Sequence, residues 1–259
     1  MDMDSAIGTL KVIRKRILEV AFQAREGHIP SSFSILEILY SFYLRSSKLL
    51  QQNDCFVMSK GHAALGLYAT LEHFNLIPRE WLDSMCKFNS QLGGHPDMRK
   101  IPTLEASTGS LGHGLPYGLG LALGKSIKGE NGSVYVLIGD GELNEGSNWE
   151  SLLVAKHRKV SNLSLIVDCN ESSERALSLG NLREKFESFG WRVVEIDGHS
   201  LDDLERFFTQ VNSKPSSLPT ALLAKTVKGK GIKRIENSPE WHHKTPSQQE
   251  LEEFILELQ

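Results

Sequence analysis

The stretch VYVLIGDGELNEGSNW, Val134–Trp149, decides how the chain is read. An apolar run from Val134 to Ile138 passes directly into Gly139, Asp140 and Gly141, with Glu142 and Glu145 close behind. Asp-Gly is a frequent hairpin pair, but a hairpin needs a second strand at once. The next residues, ELNEGSNWESLLVAKHRK, instead set Trp149, Leu152, Leu153 and Lys156 at helical spacing. The stretch therefore reads as a strand that turns into a helix, with acid at the strand's carboxyl end.

Moving outward, the same alternation repeats. Strands are predicted over 133–139, 163–168, 192–197 and 220–227, with helices over 147–159, 181–189 and 200–212. Such alternation implies an α/β fold, an open, mainly parallel sheet with helices on both faces. Towards the N-terminus, Ile7, Leu10, Ile13, Ile17, Val20 and Ala21 recur at helical spacing within 5–25. Residues 34–44 and 63–76 also read as helices, and CFVMS (55–59) as a short strand. Residues 89–116, rich in Gly, Pro, Ser and Thr, read as a long loop, a type of segment often kept for function. A Gly/Ala-rich helix follows over 116–127, a turn over 214–219, a polar irregular tail over 228–246 and a last helix over 247–258. We read residues 1–259 as one domain.

Composition narrows the function classes. A chain of 259 residues with 40% hydrophobic and 24% charged residues has the makeup of a soluble globular protein and buries about 70–75% of its unfolded surface without disulfides. Its 29 basic and 32 acidic residues leave a net charge of −3, so no general basic field for nucleic acid exists. Cys55, Cys86 and Cys169 are far apart and form no CxxC pair, which argues against a disulfide framework or a cysteine zinc site. No signal peptide or membrane span is recognised. The expectation is a cytoplasmic protein.

Acid at a strand end has a chemical use. Open parallel sheets bind ligands at the carboxyl ends of their strands. The next strand, LSLIVDCN, ends at Asp168 and Asn170, and twenty-eight residues lie between Gly141 and Asn170. That length fits one crossover and places Asp140 beside Asn170 on one rim. A carboxylate and an amide oxygen suit Mg²⁺, which when held by few protein groups commonly also binds phosphate. Gly139 and Gly141 let backbone approach a ligand closely. Spacing alone leaves this clamp open beside a plain strand-to-helix turn.

Sharper motifs fail. GLGLALGKS (118–126) has Leu119 where a P-loop needs Gly and precedes a strand, so it reads as a helix with a small packing face. TGSLG has Thr108 where a nucleophile elbow needs Gly, and no histidines show HExxH spacing. Nine histidines occur, and several lie in loop contexts: EGHIPSS, SKGHAAL, GGHPDM, SLGHGLP and EWHHKTP. Imidazoles on loops can donate to phosphate or hydroxyl groups and move protons. His73, His157 and His199 read as surface or core residues.

Together SKGHAALGLYATL, GGHPD, TGSLGHGLPYGLGLALG and GDG followed after twenty-eight residues by Asn resemble transketolase, specifically its N-terminal, diphosphate-binding half, over roughly residues 5–246. The resemblance implies thiamine diphosphate and Mg²⁺ as cofactors. It implies that Asp140 and Asn170 bind the metal, with the backbone carbonyl near Ser172 as a third ligand. It implies that Gly109, Leu111, Gly139 and Gly141 line the cofactor together with Asn170, and that His62 and His243 lie near its diphosphate. His113 would sit near the aminopyrimidine. His28, His95 and His243 would face the substrate's C1 and C2 oxygens. Glu145 and Glu150 would belong to an acid relay between paired active sites, which brings Glu145 to the cofactor.

The family's second domain, which binds the aminopyrimidine, has no counterpart in these residues. The resemblance thus implies a partner subunit carrying it, an α2β2 heterotetramer and sugar or sugar-phosphate substrates. It also leaves open another thiamine diphosphate reaction, such as 1-deoxyxylulose-type synthesis or 2-oxo acid decarboxylation, and a non-catalytic regulatory subunit. The chain departs from the family pattern at GHIPSS, with Pro30 displaced, at DCNESSERALSLG, where Glu171, Glu174 and Arg175 border the site, and at HHKTP, where Lys244 is either a phosphate or carboxylate partner or merely solvated.

Overall fold

The computed structural model describes residues 3–49, 53–172, 177–213 and 217–259. Five strands, β1 (Cys55–Met58), β2 (Val134–Gly139), β3 (Leu163–Cys169), β4 (Arg192–Asp197) and β5 (Thr220–Lys225), form one parallel sheet in the order β1-β2-β3-β5-β4. The helices are α1 (Met3–Ala24), α2 (Ile29–Ser34), α3 (Leu36–Leu49), α4 (Ala64–His73), α5 (Arg79–Asp83), α6 (Gly114–Lys128), α7 (Gly146–His157), α8 (Leu182–Ser188), α9 (Leu201–Ser213) and α10 (Gln248–Glu257). The α/β architecture expected from the sequence is thus present.

Alternation along each strand sends side chains to two cores. From β2, Val134, Val136 and Ile138 join a core under α6, α7 and α8, while Tyr135 and Leu137 join a larger core with α1, α3, α4, α9 and α10. A parallel sheet covered on both faces requires apolar residues at both parities, which is why these strands read as continuous apolar runs. The crossovers obey one hand. The chain moves from β2 to β3 to β4 with α7 and α8 on one face, then turns back to β5 with α9 on the other. Gly118 of α6 lies against β2 so closely that a Cβ there would stand 2.3 Å from Val136 Cγ2. Gly118 is therefore a packing glycine, whereas Gly120 and Gly124 on the same helix have open space beside them.

Some boundaries move. β5 stops at Lys225 instead of 227, because the Val227 N–H donates to His199 Nε2 at 2.8 Å and leaves the ladder. The helix expected over 34–44 is α3, preceded by the unforeseen α2, which Pro30 starts in its first turn. The long loop is preceded by the unforeseen short α5. Residues Glu174 and Arg175, and 214–216 of the expected turn, lie outside the described residues. No described helix is long and apolar enough to cross a membrane.

The sheet's two edges differ. β1 has four residues, whereas β4 carries Arg192 and Glu195, and Glu195 pairs with Arg183 Nε at 2.7 Å and Lys225 Nζ at 3.7 Å.

Candidate active site

β2 and β3 pair with Gly139 opposite Asp168, so Asp140 and Asn170 leave adjacent strand ends on one rim, as the spacing predicted. Asp140 is 5% exposed and accepts the Gly141 N–H at 2.7 Å. Among the described residues no basic side chain forms an ion pair with it. Burial and the neighbouring Asp168 push its carboxyl up to about 6. A buried carboxylate in that state fits a cation, and the oxygen donors around it are hard. Asn170 Oδ1 already accepts from the Ser172 N–H at 3.1 Å and from the Ser172 hydroxyl.

Behind the rim lies Asp168, fully buried, a hub the sequence reading did not single out. It accepts from Lys60 Nζ, from the Ser34 hydroxyl at 2.7 Å, from the Thr226 hydroxyl and from Asn170 Nδ2 at 2.8 Å. Burial opposes its ionisation, but Lys60 and these hydrogen bonds outweigh burial and hold the carboxyl below its usual range. The hub orients the Asn170 amide so that its oxygen faces out towards Ser172. Cys169, between the two, packs against the core under α7; burial and the nearby carboxylates push its thiol well up.

A cavity of about 510 Å³ opens beside the rim, lined by Asn170, Glu171, Ser172, Lys228 and His242 among others. Lys228 Nζ donates to the Ser172 hydroxyl at 3.1 Å and lies 3.1 Å from His242 Nδ1. Burial and then Lys60 lower its pKa. The strand-end shift noted above creates this wall: His199 Nδ1 lies 2.9 Å from Glu37 Oε2 while its Nε2 takes the Val227 N–H, so the residue before Lys228 is pinned. Lys60, Lys228 and His242 were not foreseen, although SKGH and WHHK contained two of them.

The histidines gather around His28. Its ring centroid is 5.2 Å from that of His62, 5.3 Å from His242 and 4.5 Å from His243. Burial, then neighbouring histidines, push His28 down to about 4; burial, then Lys60, pushes His62 to about 2. Both are neutral at pH 7 and able to donate or accept. His243 is exposed, with Nε2 2.9 Å from Glu26 Oε1, and it is His242, not His243, that lines the cavity.

The loop residues also converge. Gly109, at φ 143°, lies under His95: a Cβ would stand 3.0 Å from that ring. A Cβ on Gly61, next to His62, would meet Gly109 N at 2.7 Å and the Thr108 hydroxyl oxygen, which is buried without a partner. This is a backbone cradle with a free polar group. His113 precedes α6, with Nδ1 3.1 Å from Leu111 O and 3.3 Å from the Ser110 hydroxyl. Buried Glu142 ties this loop to the strand end by accepting from the Gly112 N–H at 2.9 Å and from the Ser59 hydroxyl, which in turn accepts the Gly114 N–H at 3.0 Å. Glu145 and Glu150 are exposed on α7 and its cap, Glu145 against Gly112 and outside the cavity's lining. Lys244 pairs with Glu250 at 3.0 Å and stands 4.2 Å from the centroid of Trp241, so its partner is a carboxylate of its own chain. His199, read from sequence as surface or core, is structural.

Residues 6–255 match the family described as transketolase, thiamine diphosphate binding domain. The chain belongs to the transketolase family. It is 36% identical to an apulose-4-phosphate transketolase subunit of Phocaeicola vulgatus, over 95% of this chain and 90% of that one. It is 32% identical to the 6-deoxy-6-sulfo-D-fructose transketolase subunit SqwG of a Clostridium species, over 96% and 94%. Human transketolase is 35% identical over 96% of this chain, which spans 41% of the human one. The transketolase structure from Leishmania mexicana superposes with a TM-score of 0.85 at 22% identity, covering 97% of this chain and 41% of that; at that identity the likeness speaks for the fold alone. The chain is accordingly a transketolase subunit, of the transferase class, built on a thiamine diphosphate-binding fold.

Proposed function

We propose that this chain supplies the diphosphate and Mg²⁺ half of a transketolase site and, with a second subunit carrying the pyrimidine-binding domain, moves a two-carbon ketol unit from a ketose to an aldose. The carrying observation is the buried Asp140 carboxylate, without an ion-pair partner among the described residues, on one rim with Asn170 and the Lys228 wall. Asp140, Asn170 and the backbone carbonyl at Ser172 hold Mg²⁺; Lys228 and His62 donate to the diphosphate, and Gly109, Leu111, Gly139 and Gly141 let it approach the backbone. Bound thiamine diphosphate supplies the electron sink for carbon–carbon bond cleavage.

The chain's own part is proton handling and charge stabilisation. His28, neutral at pH 7, and His95 and His243 take the substrate's C1 and C2 oxygens, donating as negative charge develops. His113 borders the aminopyrimidine. Exposed Glu145 and Glu150 are free for a relay across an α2β2 assembly. Substrates are sugars, commonly phosphorylated; the first two relatives above are named for sugars bearing a phosphate or a sulfo group. The whole chain acts as one domain, and its free cysteines suit the cytoplasm.

The test is to isolate the tagged chain with its partner from its own cells and assay bound thiamine diphosphate and ketol transfer. Asp140→Ala is expected to weaken cofactor binding at least about tenfold and abolish transfer. Unchanged cofactor content and turnover in that variant would remove the clamp, and turnover by the purified chain alone would remove the partner.

A further inference from the structure

Glu26, His28 and His243 stand apart from the oxygen rim and have a different chemistry. Their ligand atoms, one carboxylate oxygen and two imidazole nitrogens, all lie within 4.8 Å of one another. Three ligands around a tetrahedral zinc are separated by about 3.4 Å, given bond lengths of 2.0–2.1 Å. The gap closes by side-chain movement alone, because Glu26 and His28 are half-buried and His243 is exposed. Glu26 Oε1 and His243 Nε2 are already 2.9 Å apart. In the absence of a metal, only a proton can sit between them.

We propose that Glu26, His28 and His243 form a second metal site, of the zinc type, at the mouth of the active site. Two imidazoles and a carboxylate select a borderline ion such as Zn²⁺ or Co²⁺ over Mg²⁺, whereas Asp140 and Asn170, with oxygen donors only, select the reverse. The two sites therefore sort their metals by donor type. Three protein ligands leave the fourth position open to water, or, with expansion to five-coordination, to both oxygens of a hydroxy-ketone. His62 and His242 surround His28 at 5.2 and 5.3 Å but take no part: His242 Nδ1 faces Lys228, and His62 lies deeper. On the ketol-transfer reading above, an ion here would hold two substrate-facing histidines and so inhibit transfer; the site itself does not depend on that reading.

The experiment titrates the chelator-treated full chain with Co²⁺ in excess Mg²⁺ and follows the visible absorption of tetrahedral cobalt, with circular dichroism confirming each variant's fold. One equivalent is expected to bind in the parent and in Asp140→Ala, and Zn²⁺ should displace it. Glu26→Gln and His243→Ala should each raise the dissociation constant more than about tenfold. No tetrahedral band, or equal bands in parent and Glu26→Gln, would overturn the proposal. Loss of the band in folded Asp140→Ala would also overturn it, by placing the cobalt on the oxygen rim. Because the readout is spectroscopic, a failure of transketolase activity leaves the result interpretable.

Discussion

The acid rim and the histidine mouth adjoin at the carboxyl end of the sheet, yet they are built on opposite terms. The rim hangs from adjacent strand ends, is buried, and is locked by a carboxylate with four donors. The mouth is assembled from the segment before α2, the turn before α4 and the chain after β5, and His242 and His243 remain exposed. In the first, fixed protein groups compensate Asp168 and leave Asp140 without an ion-pair partner among the described residues; the second is lined by adaptable side chains. A rigid rim suits a resident cofactor, and an adaptable mouth suits substrates that come and go.

The largest test of that contrast is Lys60→Ala. It strands the Asp168 carboxylate in a site where Lys60 itself is 1% exposed, so a loss of about 3–5 kcal/mol in unfolding free energy is expected from urea titration. A loss below about 1 kcal/mol would mean that the hydroxyls and Asn170 suffice.

The next test is pH. His62 is pushed from 6.5 to about 2 by burial and by Lys60, His28, Lys228 and His242 facing it. From pH 6.5 downwards the unfolded chain takes up a proton that the folded chain refuses, so stability falls as pH falls. The contribution is at most about 1.4 kcal/mol per pH unit. In the cofactor-free chain, His62→Gln should flatten the decline measured by urea midpoints between pH 6.5 and 5; an unchanged slope would move the acid sensitivity elsewhere.

The smallest effect belongs to the mouth. His243→Ala removes a surface hydrogen-bonding contact with Glu26 and should change the unfolding free energy by under about 1 kcal/mol. A larger loss would show the mouth to be structural after all.

The same contrast explains what was legible in the sequence. Val134–Ile138 and Leu163–Val167 announce buried parallel strands, and strand ends are where ligands sit, so Asp140 and Asn170 could be placed by counting. Asp168 was visible at the same strand end, but its role depends on Lys60, Ser34 and Thr226, which tertiary packing brings together from three distant segments. The choice between His242 and His243 was beyond reach for another reason. The short 3₁₀ turn at Pro239–Trp241 precedes two adjacent exposed side chains of which only His242 lines the cavity, and neither periodicity nor motif carries that difference. The breaks around α2 were missed because a six-residue helix holds too few turns to show a period.

The unequal sheet edges have a consequence for how copies of the chain meet one another. An open edge is a template on which other strands can stack, and long apolar edges drive aggregation. Here one edge offers four residues, and the other presents two charged residues, Arg192 and Glu195, the latter paired with Arg183 and Lys225. Neither edge is a long apolar template, so the sheet offers little on which a second copy of the chain could stack.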